Sequence, residues 1–279
     1  MKNTSRKLVS LLAVVGVGAV LTLAGCTDKK EAPAKAADGS EVVTLVVGAS
    51  PVPHSDILKQ VEPELAKEGV KLKVIEFSDY IKPNLALQDK ELDANFFQHV
   101  PYMEEFCKAH GCKLKSLAAV HLEPMGVYSR KVKSLSELGE GAVVAIPNDP
   151  TNGGRALMVL QHEGLIKLRP DAGILATAKD VVENPKHIVI RELEAAQLPR
   201  SLDDVDAAVI NSNYAIGAKL NPVKDAIAIE DKNSPYANIV AVRADDDRPA
   251  LTKFKAALLS EKVKKYLEDS YQGAVLPAF

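Results

Sequence analysis

The chain has 279 residues, with 35 Lys and Arg against 37 Asp and Glu, a formal net charge of -2 and no tryptophan. Acids and bases are mixed along it, and no basic block is present to suggest a nucleic-acid partner. Near-neutral charge and an ordinary apolar content suit a globular protein of one large or two ordinary domains.

The N-terminal stretch sets Lys2, Arg6 and Lys7 ahead of an apolar run from Leu8 to Leu23, closed by Leu23-Ala24-Gly25-Cys26. This is the pattern of a secretory signal with a lipoprotein cleavage box. A spanning helix needs roughly 20 apolar residues; this run is shorter, broken by glycines and followed at once by polar chain. Residues 1–25 are therefore expected to be a signal peptide, with Cys26 the lipidated first residue of the mature chain. Residues 26–41, rich in Lys, Ala, Glu, Asp and Gly, read as a flexible tether without a core-forming period.

Beyond Val42, short Val- and Ile-rich runs alternate with longer amphipathic stretches, the signature of βαβ units around a mostly parallel sheet. The pattern predicts a strand over Val42–Val47, a helix over Ile57–Glu68 stopped by Gly69, and a strand over Lys71–Phe77. A helix over Pro83–Lys90 and a strand over Asp93–Phe97 follow, then a helix begun by Pro101. At its end, Gly111 suits a left-handed terminator between Cys107 and Cys112. A Schellman ending would bring those cysteines close enough for a disulfide in an oxidising compartment; two free thiols are the alternative. With His110 they make a Cys-His-Cys group, but no fourth ligand is in sight for a structural zinc.

Leu117–Tyr128 and Asn238–Val242 read as extended segments crossing between two lobes. Between them come a strand over Val143–Ile146, a helix over Pro150–Glu163 stopped by Gly164, and strands over Ile188–Leu193 and Ala207–Ile210. Pro249–Leu267 reads as one closing helix. The two extended segments, one mid-chain and one late, are the expected hinge of a two-lobed α/β protein in which the chain goes out and returns. Residues 42–122 plus 242–279 would form one lobe and 123–241 the other.

Ligands of open parallel sheets bind beyond the carboxyl ends of the strands. One such end delivers Phe97, Gln98, His99 and Tyr102. A second delivers Asn148, Asp149, Thr151, Asn152 and Arg155, with Gly153 and Gly154 read as letting backbone come close to a ligand. A third delivers Asn211, Asn213 and Tyr214. A helix N-terminus followed by an arginine suits a carboxylate; a solvated surface arginine is the alternative reading of Arg155. From burial preference alone Phe97 and Tyr102 are more often core than ligand wall, and His99 beside a proline-started helix is more often a capping or packing residue. The six histidines are scattered without metal spacing, and no nucleophile-elbow or zinc-protease motif occurs, so neither catalysis, a cofactor nor a metal is expected.

The ordered motifs Phe77-Ser78-Asp79-Tyr80, Asp93-Ala94-Asn95-Phe96-Phe97-Gln98-His99-Val100-Pro101-Tyr102, Ile146-Pro147-Asn148-Asp149-Pro150-Thr151-Asn152, Leu198-Pro199-Arg200-Ser201 and Ser234-Pro235-Tyr236-Ala237-Asn238 together resemble the NlpA-type methionine-binding lipoproteins. The likeness spans essentially the whole mature chain. It implies an α/β, two-lobed periplasmic-binding-protein fold (type 2-like) with two hinge-crossing strands, in the binding component of an ATP-driven importer tethered by lipid outside the cytoplasm. Its ligand would be methionine or a close analogue, its partner an ABC permease. A related small anion, a methionine-containing dipeptide or a surface adhesin role are the alternatives. Carried onto this sequence, the family's pocket falls on Tyr80, Phe97, His99 and Tyr102, with Arg155, Asn211 and Asn238 on the amino-acid head group. Phe96, where some members carry a small residue, is expected to narrow the side-chain pocket.

Overall fold

The structure is a computed structural model that describes residues 42–231 and 234–279. Cys26, the signal and the tether lie outside the described residues.

The first lobe opens with β1 (Val43–Ala49), α1 (Asp56–Lys67), β2 (Val70–Glu76), α2 (Lys82–Gln88), β3 (Ala94–His99), α3 (Val100–His110) and β4 (Leu114–Leu122). The second lobe runs through β5 (Gly126–Tyr128), β6 (Val143–Pro147), α4 (Pro150–His162), β7 (Lys167–Leu168), β8 (Val181–Glu183), β9 (Val189–Leu193), α5 (Leu198–Ser201), β10 (Ala207–Ile210), α6 (Ser212–Gly217) and β11 (Ala228–Ile229). The chain then returns to the first lobe as β12 (Ala237–Arg243), α7 (Pro249–Leu258), α8 (Glu261–Tyr271) and β13 (Leu276–Pro277).

Six strands lie in the order β13-β4-β12-β3-β1-β2 and five in the order β11-β5-β10-β6-β9. The βαβ units make β1 parallel to both β2 and β3, whereas β12, arriving from the other lobe, runs antiparallel to β3 and β4. Lobe two has the same logic: β6 is parallel to β9 and β10, and β5, fresh from the crossing, is antiparallel to β10.

Helices cover both faces of each sheet, so central strands are buried throughout. In α1, Ile57, Leu58, Val61 and Leu65 recur at helical spacing and pack with Leu45, Val47 and the α7 and α8 side chains Leu251, Phe254, Leu258 and Val263. Each such burial stabilises by about 1.5–3 kcal/mol. Every residue of β3 is buried, and its alternation sends Phe96 into this core and Phe97 to the other face, against Tyr102 and Phe106. Phe96 therefore faces away from the ligand side and does not narrow the pocket as expected.

Three expected boundaries shift. The segment Leu117–Tyr128 is two strands in two sheets, interrupted at Glu123–Met125, where Pro124 has no amide to continue a ladder. The return crossing comes earlier than the sequence boundary at Val242: the whole of Ala237–Arg243 pairs within the six-stranded sheet, so residues 237–241 belong with the first lobe. The closing helix is two helices, because Ser260 caps a fresh N-terminus by accepting from the Val263 amide at 3.4 Å. Among the described residues no helix is long and apolar enough to cross a membrane.

Candidate functional site

A narrow cavity, with only about 20 Å³ open to the centre of a water-sized sphere, lies where the strand ends of the two lobes face each other. Its lining includes all seven residues that the sequence nominated, Tyr80, Phe97, His99, Tyr102, Arg155, Asn211 and Asn238. Gln98, Glu123, Asn152, Ser212 and Asn213 complete it.

One wall is aromatic. The rings of Tyr80, Phe97 and Tyr102 lie with centroids 5.9–6.0 Å apart, and the Tyr102 hydroxyl donates to the Tyr80 carbonyl at 2.8 Å. Tyr80 reaches across the cleft, its hydroxyl donating to Asn213 Oδ1 at 2.6 Å. Burial pushes both phenols above their usual range, so they act here as neutral donors. Behind this wall Phe106 stacks on Tyr102, and the same helix ends at Gly111, whose φ of 70° supplies the left-handed turn. Cys107 and Cys112 flank that turn, with their Cα atoms 4.5 Å apart and a disulfide between them.

His99 joins the wall to a polar floor. It is both helix cap and cavity residue: Nδ1 accepts from the Tyr102 amide at 3.2 Å, which requires the proton on Nε2, and Nε2 lies 3.2 Å from Asn152 Oδ1. Burial, reinforced by the Arg155 charge, lowers its pKa to about 3, so the ring is neutral. Asn152 Oδ1 also accepts from Asn211 Nδ2 at 2.9 Å, while Asn152 Nδ2 is gripped by Asp149, the N-cap of α4. One group there stands apart: Asn211 Oδ1 is buried and has no hydrogen-bond partner among the described residues.

Arg155 is neither solvated nor a free fork. It is buried; Nε donates to Glu230 Oε1 at 2.9 Å, Nη2 donates to Glu230 Oε2 and, at 2.8 Å, to the Glu123 carbonyl, and the guanidinium sits 4.4 Å above the Tyr236 ring. One edge of the guanidinium is thus occupied, and Nη1 is the donor left for a ligand.

Gly153 and Gly154 do not serve a ligand. A Cβ on Gly153 would stand 2.9 Å from the Pro147 carbonyl oxygen, and one on Gly154 only 2.3 Å from the Ile174 carbonyl oxygen. The glycines let α4 pack closely on its own lobe.

Sequence reading missed a buried cluster behind the cavity. His54, from the turn after β1, and His121, from β4, converge on Glu123, with all three ligand-type atoms within 4.8 Å of one another. His121 Nε2 lies 2.7 Å and His54 Nε2 3.4 Å from Glu123 Oε1, and His54 Nε2 is 3.0 Å from Asn238 Oδ1. Linear spacing of 67 positions hides this pair; the readable signal was a lone carboxylate inside the apolar run Ala118–Tyr128. Glu230 and Tyr236 were hidden likewise, on the return crossing.

Residues 45–279 match the NlpA lipoprotein family. The chain is 42% identical over 270 residues to a probable D-methionine-binding lipoprotein MetQ of Vibrio cholerae, covering 96% of this chain and 97% of the relative. A nutrient binding protein from Burkholderia cenocepacia, solved bound to methionine, superposes with a TM-score of 0.82 at 49% identity, over 84% of this chain and all of the other. An ABC transporter periplasmic substrate-binding protein from Coxiella burnetii superposes with a TM-score of 0.81 at 43% identity, over 84% of this chain and 100% of that one. With its two-lobed fold and a sequence match spanning nearly all of the described chain, this protein belongs to the NlpA lipoprotein family.

Proposed function

We propose that this chain is the lipid-anchored, extracytoplasmic binding component of an ATP-driven importer and that it captures methionine, or a close analogue, between its lobes. The observation that carries the reading is the convergence of Tyr80, Phe97, His99, Tyr102, Arg155, Asn211 and Asn238 on one interlobe cavity. Arg155 Nη1 would meet the ligand carboxylate and Asn211 Oδ1, buried and unpartnered, would accept from its ammonium. Asn238, whose oxygen is engaged by His54, would offer its amide nitrogen. The three aromatic rings would wall the thioether.

The energetics are sufficient. Burying a methionine side chain is worth about 1.5–3 kcal/mol, and each charge-assisted hydrogen bond adds about 1.5–3 kcal/mol. After ordering losses that supports micromolar to nanomolar capture. The narrowness of the cavity, about 20 Å³ open to a water-sized sphere, favours a single amino acid over a bulkier dipeptide. Lobe closure around the ligand would present one shape to an ABC permease, with lipid on Cys26 holding the chain at the membrane. The relatives are named as binding proteins, and no turnover is assigned to this chain.

Mass spectrometry of gently purified protein, followed by calorimetry with L- and D-methionine, tests the reading. The expected result is a retained methionine-sized molecule and saturable binding of at least one enantiomer. No heat and no thermal shift with either would remove methionine as the ligand.

A further inference from the structure

Glu123 presents a charge problem that the head-group assignment leaves unsolved. It is 5% exposed, lines the cavity at the first crossing between lobes, and receives His121 Nε2 at 2.7 Å. On His121, Nδ1 is buried without a hydrogen-bond partner among the described residues, whereas the His54 ring also interacts with the Val52 backbone. An orphaned N–H would be worse than an orphaned ring acceptor, so the His121 proton belongs on Nε2, where Glu123 accepts it; burial keeps His54 neutral as well. Two neutral imidazoles therefore solvate the carboxylate without neutralising it.

Among the described residues no other element supplies a cation in contact with it. Arg155 of α4 acts on it only at a distance, donating to its backbone carbonyl while Glu230 takes the guanidinium charge. The remaining neighbours are the Asn213 amide and, farther off, the phenols of Tyr80 and Tyr271. Burial accordingly pushes the Glu123 carboxyl up from its ordinary value, the nearby His54 ring, the Arg155 guanidinium and the Asn213 amide offsetting this only in part.

We infer that Glu123 is the counter-charge for the ligand's α-ammonium, which restricts the site to zwitterionic amino acids, and that seating the ammonium expels a proton from the cavity. This rests on the cavity being the methionine site. The balance is simple: a protonated Glu123 carboxyl loses its proton to solvent, and the carboxylate left behind pairs with the ammonium that the zwitterion already carries. Since ligand and proton compete for one state of Glu123, affinity rises with pH until the unliganded carboxyl is fully ionised, by up to about tenfold per pH unit. His54 and His121 are positioning residues in this scheme, one aiming Asn238 and the other Glu123.

The test is calorimetry on the processed chain in detergent, between about pH 5 and 8, in two buffers of different ionisation enthalpy. The ligands are methionine and its des-amino analogue, 4-(methylsulfanyl)butanoate, the latter read by displacement of methionine if it binds weakly. Wild type should release a proton on binding methionine at the acid end of the range and none on binding the analogue. Glu123→Gln should abolish that release, weaken methionine about 10- to 100-fold and leave the analogue within about threefold. His121→Gln, which keeps an N–H for the carboxylate, should retain the release. Methionine binding with no buffer dependence anywhere in the range overturns the proposal, as does a Glu123→Gln chain that loses both ligands equally. The wild-type measurement stands even if the variant does not fold. Wild type that binds the analogue but not methionine overturns the methionine reading as well, which separates the two failures.

Discussion

His99 Nε2 and Asn152 Oδ1 meet at 3.2 Å across the cleft, from residues 53 positions apart in sequence and in different lobes. The same imidazole caps α3 through Nδ1. Cap and latch are therefore one side chain, and they separate by substitution. Asn is also a good N-cap, so His99→Asn should keep the cap without reaching Asn152, whereas His99→Ala loses both. The expected outcome is a melting temperature near wild type for His99→Asn with methionine affinity about five- to tenfold weaker, one net hydrogen bond. His99→Ala should lose a further ~1 kcal/mol of stability. Thermal melts and calorimetry on the two variants check this, and equal affinities for His99→Asn and wild type would reject the latch.

Arg155→Ala should weaken methionine by about 2–5 kcal/mol, because it strands Glu230 as well as the ligand carboxylate in a buried site. Asn238→Ala should act in the same direction with a smaller loss. Arg155→Lys keeps the charge but not the fork that grips Glu230, so it should fall nearer Ala than wild type. Calorimetry that finds methionine affinity unchanged in both Arg155→Ala and Asn238→Ala would remove the proposed head-group site.

Gly154→Ala is expected to destabilise the second lobe by at least ~1–3 kcal/mol, since the new methyl would press on the Ile174 carbonyl and the Ala176 amide, both backbone groups with nowhere to yield. Urea denaturation reads the loss. A stability within error of wild type would mean that the Gly173–Leu175 turn slides freely over α4.

Acid should weaken the fold in a defined window. Burial, outweighing the pull of Glu123, holds His54 at about 4; burial, helped by Arg155, holds His99 at about 3; and burial alone holds His121 at about 3, against 6.5 for the free ring. The unfolded chain thus takes up protons that these rings refuse. Their contribution is complete above the free-ring value and is lost as pH falls from there toward about 4 and then 3. Each refused proton adds a slope of about 1.4 kcal/mol per pH unit. Glu123 and Asp149, pushed up by burial, work in the opposite sense and offset part of the loss. Urea-denaturation free energies should therefore fall between about pH 7 and 5, and His121→Gln should flatten the slope by about one proton. An unaltered slope in that variant would show that His121 binds protons equally well in both states.

The sequence by itself determined the periodic elements, the two-lobed α/β plan and the nominated strand ends, because strand and helix periods and glycine or proline punctuation are local properties. Residues that share one strand end, such as Phe97, His99 and Tyr102, were legible together for the same reason. Tertiary structure alone decided what depends on chain segments meeting: that Arg155 is already held by Glu230, that Gly153 and Gly154 serve packing, that β12 belongs to the first lobe, and that His54, His121 and Glu123 gather behind the cavity. No local period encodes such meetings. They arise when two sheets bury their faces and bring distant strand ends to one cleft, where desolvation sets the charge of every group it encloses.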